Sequence, residues 1–163
     1  MIFFQKNFTA KLVAIAMVTT FSTTNLLAFM SADQPKNGIS DMGNLIAVWS
    51  VYDQTTGDYV VRSRTWDVNN GWSSNTTISA TPGTSSCPSI IVNNAGDAAV
   101  LWTTLDQNNI PTIQGRIYYN GAWDVGPTQI SAEGEAVIMF EHKLNNNGDI
   151  SVIWSSFPPN SSD

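Results

Sequence analysis

This chain has one cysteine and one histidine among 163 residues, and only seven lysines and arginines. The single Cys87 excludes an intrachain disulfide. Standing just before Pro88 at the start of an apolar run, it is expected to be a small buried hydrophobe. The lone His142 falls at an expected strand position, where a satisfied, partly buried imidazole is the bland reading. Gly-x-Ser-x-Gly, His-Glu-x-x-His and phosphate-cradling glycine loops are all missing. No Asp-x-Asp-x-Asp spacing marks a calcium loop. No cofactor and no metal are expected.

Beyond residue 30 no apolar run is long enough to cross a bilayer as a helix. Residues 1–28 read as a secretory signal: Lys6 and Lys11 form a basic start, Leu12 to Val18 an apolar stretch, and Leu26-Leu27-Ala28 an approach to cleavage. The chain past residue 28 then keeps five cations against thirteen carboxylates, a net charge of −8. That balance argues against nucleic-acid or anionic-membrane partners. Abundant Asn, Ser, Thr and Gly suit an exported all-β protein with many tight turns. Secretion, the periplasm or the cell surface is the expected destination.

What the chain does have is a repeat. Gly43, Gly96 and Gly148 each open an apolar run that reaches Trp49, Trp102 and Trp154 six residues later, at spacings of 53 and 52. Such a period signals stacked supersecondary units, each unable to bury its faces alone. In the second copy, strands are expected at Pro88–Val92, Asp97–Trp102, Thr112–Tyr119 and Trp123–Ser131, with turns at Asn93–Gly96, Asp106–Asn109 and Asn120-Gly121. The middle run is apolar on both faces, as in a strand sandwiched between layers. The first copy repeats this order, although Lys36-Asn37-Gly38 makes a poor or absent first strand. The third copy runs from Phe140 to Trp154 and breaks at Phe157-Pro158-Pro159.

Antiparallel four-stranded units repeated radially are β-propeller blades, so the expected fold is all-β with about two and a half repeats. The expected division is a linker at 29–34, blade 1 at 35–87, blade 2 at 88–139, a partial blade 3 at 140–157 and a tail at 158–163. The repeat resembles a bacterial exported propeller family in four elements: Gly43-Asn44 to Val48-Trp49, Gly96-Asp97-Ala98 to Trp102, Gly71-Trp72-Ser73, and Gly121-Ala122-Trp123. That resemblance implies a fold and a compartment far more than an activity. A looser likeness to fucose-binding lectin propellers rests on Arg64 with Trp66 and Arg116 with Tyr118. Asp67-x-Asn69-x-Gly71-Trp72 only faintly echoes the sialidase turn.

Alternation places Val60, Arg62, Arg64 and Trp66 on one face of the third strand of copy one. Thr112, Gln114, Arg116 and Tyr118 take the same places in copy two. If that face opens to a cleft between blades, Arg donates a planar fork while the ring stacks on a sugar. The opposing reading pairs each Arg internally with a turn carboxylate such as Asp53 or Asp106. Trp72 and Trp123, each following a turn, are further candidates for ligand contact. Trp49, Trp102 and Trp154 fit packing between units better.

Three functions therefore stand side by side. The first is a non-catalytic module binding glycan or protein through grooves between blades. The second is a structural propeller fragment, or a homo-oligomer that completes a ring. The third, a sialidase-like hydrolase using carboxylates among Glu133, Glu135 and Glu141, has the least behind it.

Overall fold

A computed structural model describes residues 35–80 and 83–157. The expected signal, linker and C-terminal tail lie outside the described residues. Twelve strands, all paired antiparallel, form three sheets, and no helix occurs among the described residues.

The first sheet is a meander of β1 (Lys36–Ile39), β2 (Leu45–Asp53) and β3 (Asp58–Asp67), edged by β4 (Gly71–Trp72) and β5 (Thr76–Thr77). The second repeats it with β6 (Ser85–Val92), β7 (Ala98–Leu105) and β8 (Pro111–Tyr119), edged by β9 (Ala122–Trp123) and β10 (Thr128–Gln129). The third pairs β11 (Ala136–Leu144) with β12 (Ile150–Phe157). These are propeller-type blades without ring closure. First strands of neighbouring sheets adjoin, β1 against β6 and β6 against β11.

The repeat is visible at its turns. Ser40, Asn93 and Asn145 each donate their amide across the β-turn, to the carbonyls of Asn44, Asp97 and Asp149 at 2.9, 2.9 and 3.1 Å. Gly43, Gly96 and Gly148 close these turns at φ of +81°, +91° and +87°, where a side chain would be strained. Further along each unit, Val61 and Ile113 donate their amides to the buried hydroxyls of Ser79 and Ser131 at 3.0 and 2.9 Å. The Ile-Ser pair of each copy is thus a latch that returns the chain onto its third strand.

Two apolar clusters lie between the sheets. Ile46, Val48, Val61 and Ile78 of the first sheet pack on Ala98, Val100 and Trp102 of the second. The other face of the second sheet offers Ala99, Leu101 and Ile113 to Val137, Phe140, Ile150 and Val152 of the third. The doubly apolar reading of β7 follows directly, because alternate residues of that strand serve different clusters.

Five expectations need correction. Lys36–Ile39 does form a strand, paired in full with β2. Gly38 makes this possible, since a Cβ there would stand 2.4 Å from Val92 Cγ2. The fourth strands are two short bridges each, and in copy two the break falls at Val125–Pro127, where Pro127 has no amide to donate. β11 starts at Ala136, four residues early, through a bulge between Val137 and Met139. Cys87 is exposed, with φ +53° in a bulge between Ser86 and Ser89, while Pro88 takes the buried place. Finally, Trp102 is 0% exposed but Trp154 is 38% exposed, its indole N–H donating to Glu135 at 3.0 Å.

Candidate functional site

A groove of about 520 Å³ opens where one end of the first sheet meets the same end of the second. The first sheet contributes the start of β2 (Asn44–Ile46) and the end of β3 (Thr65–Asp67). The second contributes the turn before β7 (Ala95–Asp97) and the end of β8 with its turn (Tyr118–Gly121). Strand ends and turns line it because the interior of the interface is filled by the apolar cluster. Its aromatic content is Trp66, Tyr118 and Tyr119, the last 59% exposed.

Strand alternation separates the six sequence-derived site residues into two sets. Tyr118 and Trp123 pack against the cluster between the first and second sheets, and Arg116 shares their face of β8. Arg64, Trp66 and Trp72 occupy the equivalent places one repeat earlier. They therefore lie on the face of the first sheet turned away from the second. Trp66 still reaches the groove at its rim, at the end of β3. Trp66 and Tyr118 line the groove; Arg64, Arg116, Trp72 and Trp123 do not.

Both arginines are engaged within their own sheets. Arg64 Nε donates to the carbonyl of Ser73 at 2.8 Å, with the guanidinium 5.5 Å from the Trp72 ring centre. Arg116 Nε donates to the carbonyl and to Oδ1 of Asp124, both at 3.1 Å. Ser73 and Asp124 each follow the turn tryptophan of their copy, so one contact is made twice. The carboxylates named as internal partners do other work: Asp53 pairs with Arg62 at 2.9 Å, and Asp106 accepts the amides of Asn108 and Ile110. Trp123 meets Tyr118 edge to face, ring centres 5.2 Å apart, and so braces a groove wall.

Two carboxylates lie in the groove, Asp67 and Asp97. Asp67 accepts the side-chain and backbone N–H groups of Asn70 and the amide of Asn69, and these bonds hold its carboxyl below the usual range. Asp97 accepts Asn93 Nδ2 at 3.2 Å and the amide of Asn120 at 3.4 Å. Reading strand faces alone misses Asp67, Asp97, Tyr119 and Asn120. Their signal is positional: Tyr119 and Asn120 adjoin the Asn120-Gly121 turn after β8, Asp97 follows Gly96 just before β7, and Asp67 ends β3 three residues before Asn70-Gly71.

The glutamates of the hydrolase reading stand elsewhere. Glu135 accepts bonds from Ser156 Oγ and Trp154 Nε1, which lower its pKa. Glu141 pairs with Ile153 on the outward face of the third sheet. His142 shares the inward face with Phe140, which stacks on it at 6.1 Å, and neither ring nitrogen has a partner. The expected satisfied histidine is thus unsatisfied, and burial lowers its pKa. Among the described residues no group of three or more His, Cys, Asp or Glu is placed to hold a metal.

No family model and no curated protein matches the chain. Among solved structures it is similar to the crystal structure of an endo-arabinase from Bacteroides thetaiotaomicron VPI-5482, with a TM-score of 0.48 and 13% identity. The match covers 78% of this chain and 51% of that one, so this chain spans about half its length. At that distance the likeness assigns neither activity nor ligand.

Proposed function

We propose that this is an exported, non-catalytic repeat protein of the bacterial propeller type that binds glycan in the groove between its first two sheets. The observation that carries the reading is the groove itself, where Trp66, Tyr118 and Tyr119 stand among Asn44, Asn120 and two carboxylates. Rings offer a surface to the apolar face of a sugar, and amide and carboxylate groups fix its hydroxyls. Two carboxyls, Asp67 and Glu135, are poorly suited to act as a general acid. Hydrolysis needs one carboxyl held protonated near neutrality, and hydrogen bonds push both of these the opposite way. Export rests on the character of residues 1–28.

Titration with neutral oligosaccharides, followed by tryptophan fluorescence and calorimetry, tests the reading. Tyr118→Ala and Trp66→Ala should each weaken binding by about tenfold, the loss expected of an anchoring aromatic. No binding across a broad glycan panel, or full binding by both variants, rules the groove out.

A second reading, assembly with further blades or a second copy, is favoured by one observation. Ile138, Met139, Ile153 and Phe157 of the third sheet are all exposed. Native mass measurement of the secreted chain tests it, a discrete oligomer supporting it and a monodisperse monomer opposing it.

A further inference from the structure

We infer that the groove is selective for uncharged glycans and rejects acidic ones, with Asp67 and Asp97 as the rejecting groups. The inference rests on the glycan reading above and narrows its ligand class. The groove lining holds two carboxylates and no lysine, arginine or histidine. A uronic or sialic acid entering it brings a third negative charge into a partly desolvated cleft with no cation to meet it.

The two cations nearest in sequence are withdrawn. Arg64 is held by the carbonyl of Ser73, and Arg116 by the carbonyl and carboxylate of Asp124. Arg64 lies on the face of the first sheet turned away from the second, and bringing Arg116 into the groove would give up its charge-assisted contacts with Asp124. Hydrogen bonds from the side chain and amide of Asn70 keep Asp67 ionised into acid solution, so rejection persists as the medium acidifies. A net charge of −8 past residue 28 adds repulsion of the same sign at longer range.

Calorimetric titration of the secreted chain with neutral and with uronic oligosaccharides of equal length, at low and at high salt, tests the inference. At low salt the acidic ligand should bind at least about tenfold more weakly, and the gap should narrow in about 0.5 M salt as the repulsion is screened. Asp67→Asn and Asp97→Asn each keep an acceptor oxygen for the turn amides, and each should shrink the ratio of neutral to acidic affinity. Circular dichroism confirms that the variants are folded, and the salt series on the unmodified chain stands if they are not. Equal affinity for both ligands at low salt, or a gap indifferent to salt, overturns this inference and leaves the glycan reading in place. Failure of both ligands to bind overturns the two together.

Discussion

Arg116 and Asp124 are joined through both the backbone and the side chain of the aspartate, Nε lying 3.1 Å from the carbonyl oxygen and from Oδ1. Arg64 holds the carbonyl of Ser73 in the same manner one repeat earlier. In each copy the residue held is the one after the turn tryptophan. The arginine therefore clips a short edge strand, β4 or β9, onto the strand beside it. Two-residue edge strands have little ladder of their own, and this clip supplies what the ladder lacks.

Removing the clip should loosen the second sheet. Arg116→Ala leaves the Asp124 carbonyl and carboxylate without their charged donor, and a loss of about 1–3 kcal/mol is expected. Arg116→Lys keeps the charge but not the planar fork, so it should fall between. Urea unfolding followed by tryptophan fluorescence measures both. Because Trp123 braces Tyr118, the binding proposed for the groove should weaken with stability in these variants even though Arg116 does not line it.

Gly38 and Val92 offer a test of how closely the first strands approach. A Cβ on residue 38 would sit 2.4 Å from Val92 Cγ2, so Gly38→Ala should cost about 1–3 kcal/mol through overpacking. Trimming the neighbour with Val92→Ala should make the same substitution nearly neutral. A double-mutant cycle by chemical denaturation reads that coupling directly. Additive losses would show that β1 and β6 do not touch there.

Much of the fold could be read from the chain, and the reason is the repeat. Gly43, Gly96 and Gly148 mark turns that only a residue tolerant of positive φ closes well, and Trp102 marks a strand buried on both faces. β1 escaped because Lys36-Asn37-Gly38 has no strand propensity; its ladder to β2 and its close fit against Val92 are tertiary effects. The site was less legible. Alternation correctly put Arg116 and Tyr118 on one face, yet it cannot reveal that the guanidinium is already taken by a carbonyl. Nor does it show that Asp67 and Asp97 gather at a groove from turns thirty residues apart.

Glu135 should shape the acid limb of stability. Bonds from Ser156 Oγ and Trp154 Nε1 lower its folded pKa beneath the ordinary 4.5. A carboxyl with a depressed folded pKa gives stability that is present above the unfolded value and lost as pH falls through the folded one. Acid unfolding of the third sheet, followed by Trp154 emission, should therefore begin below about pH 4.5. Glu135→Gln should flatten this limb and lower stability at neutral pH. An unchanged acid limb would show that the Glu135 contacts carry no weight in folding.

His142 should give a separate, milder pH dependence. Its neighbours on the inward face of the third sheet, Phe140, Leu144 and Val152, bring no charge, and burial lowers its pKa from 6.5. Above that value the imidazole is neutral in both folded and unfolded chains. As pH falls below 6.5 the unfolded chain binds the proton more readily, so stability drops until the folded pKa is reached. The equivalent residue one repeat earlier is Ile90, packed against the cluster between the first two sheets. His142→Ile should therefore abolish the slope that sets in as pH falls below about 6.5. It should also add about 1 kcal/mol at pH 7.5 by removing two unpartnered ring nitrogens. Thermal melts across that range, on the variant and the parent chain, decide the matter. A slope that survives the substitution would place the titrating group elsewhere.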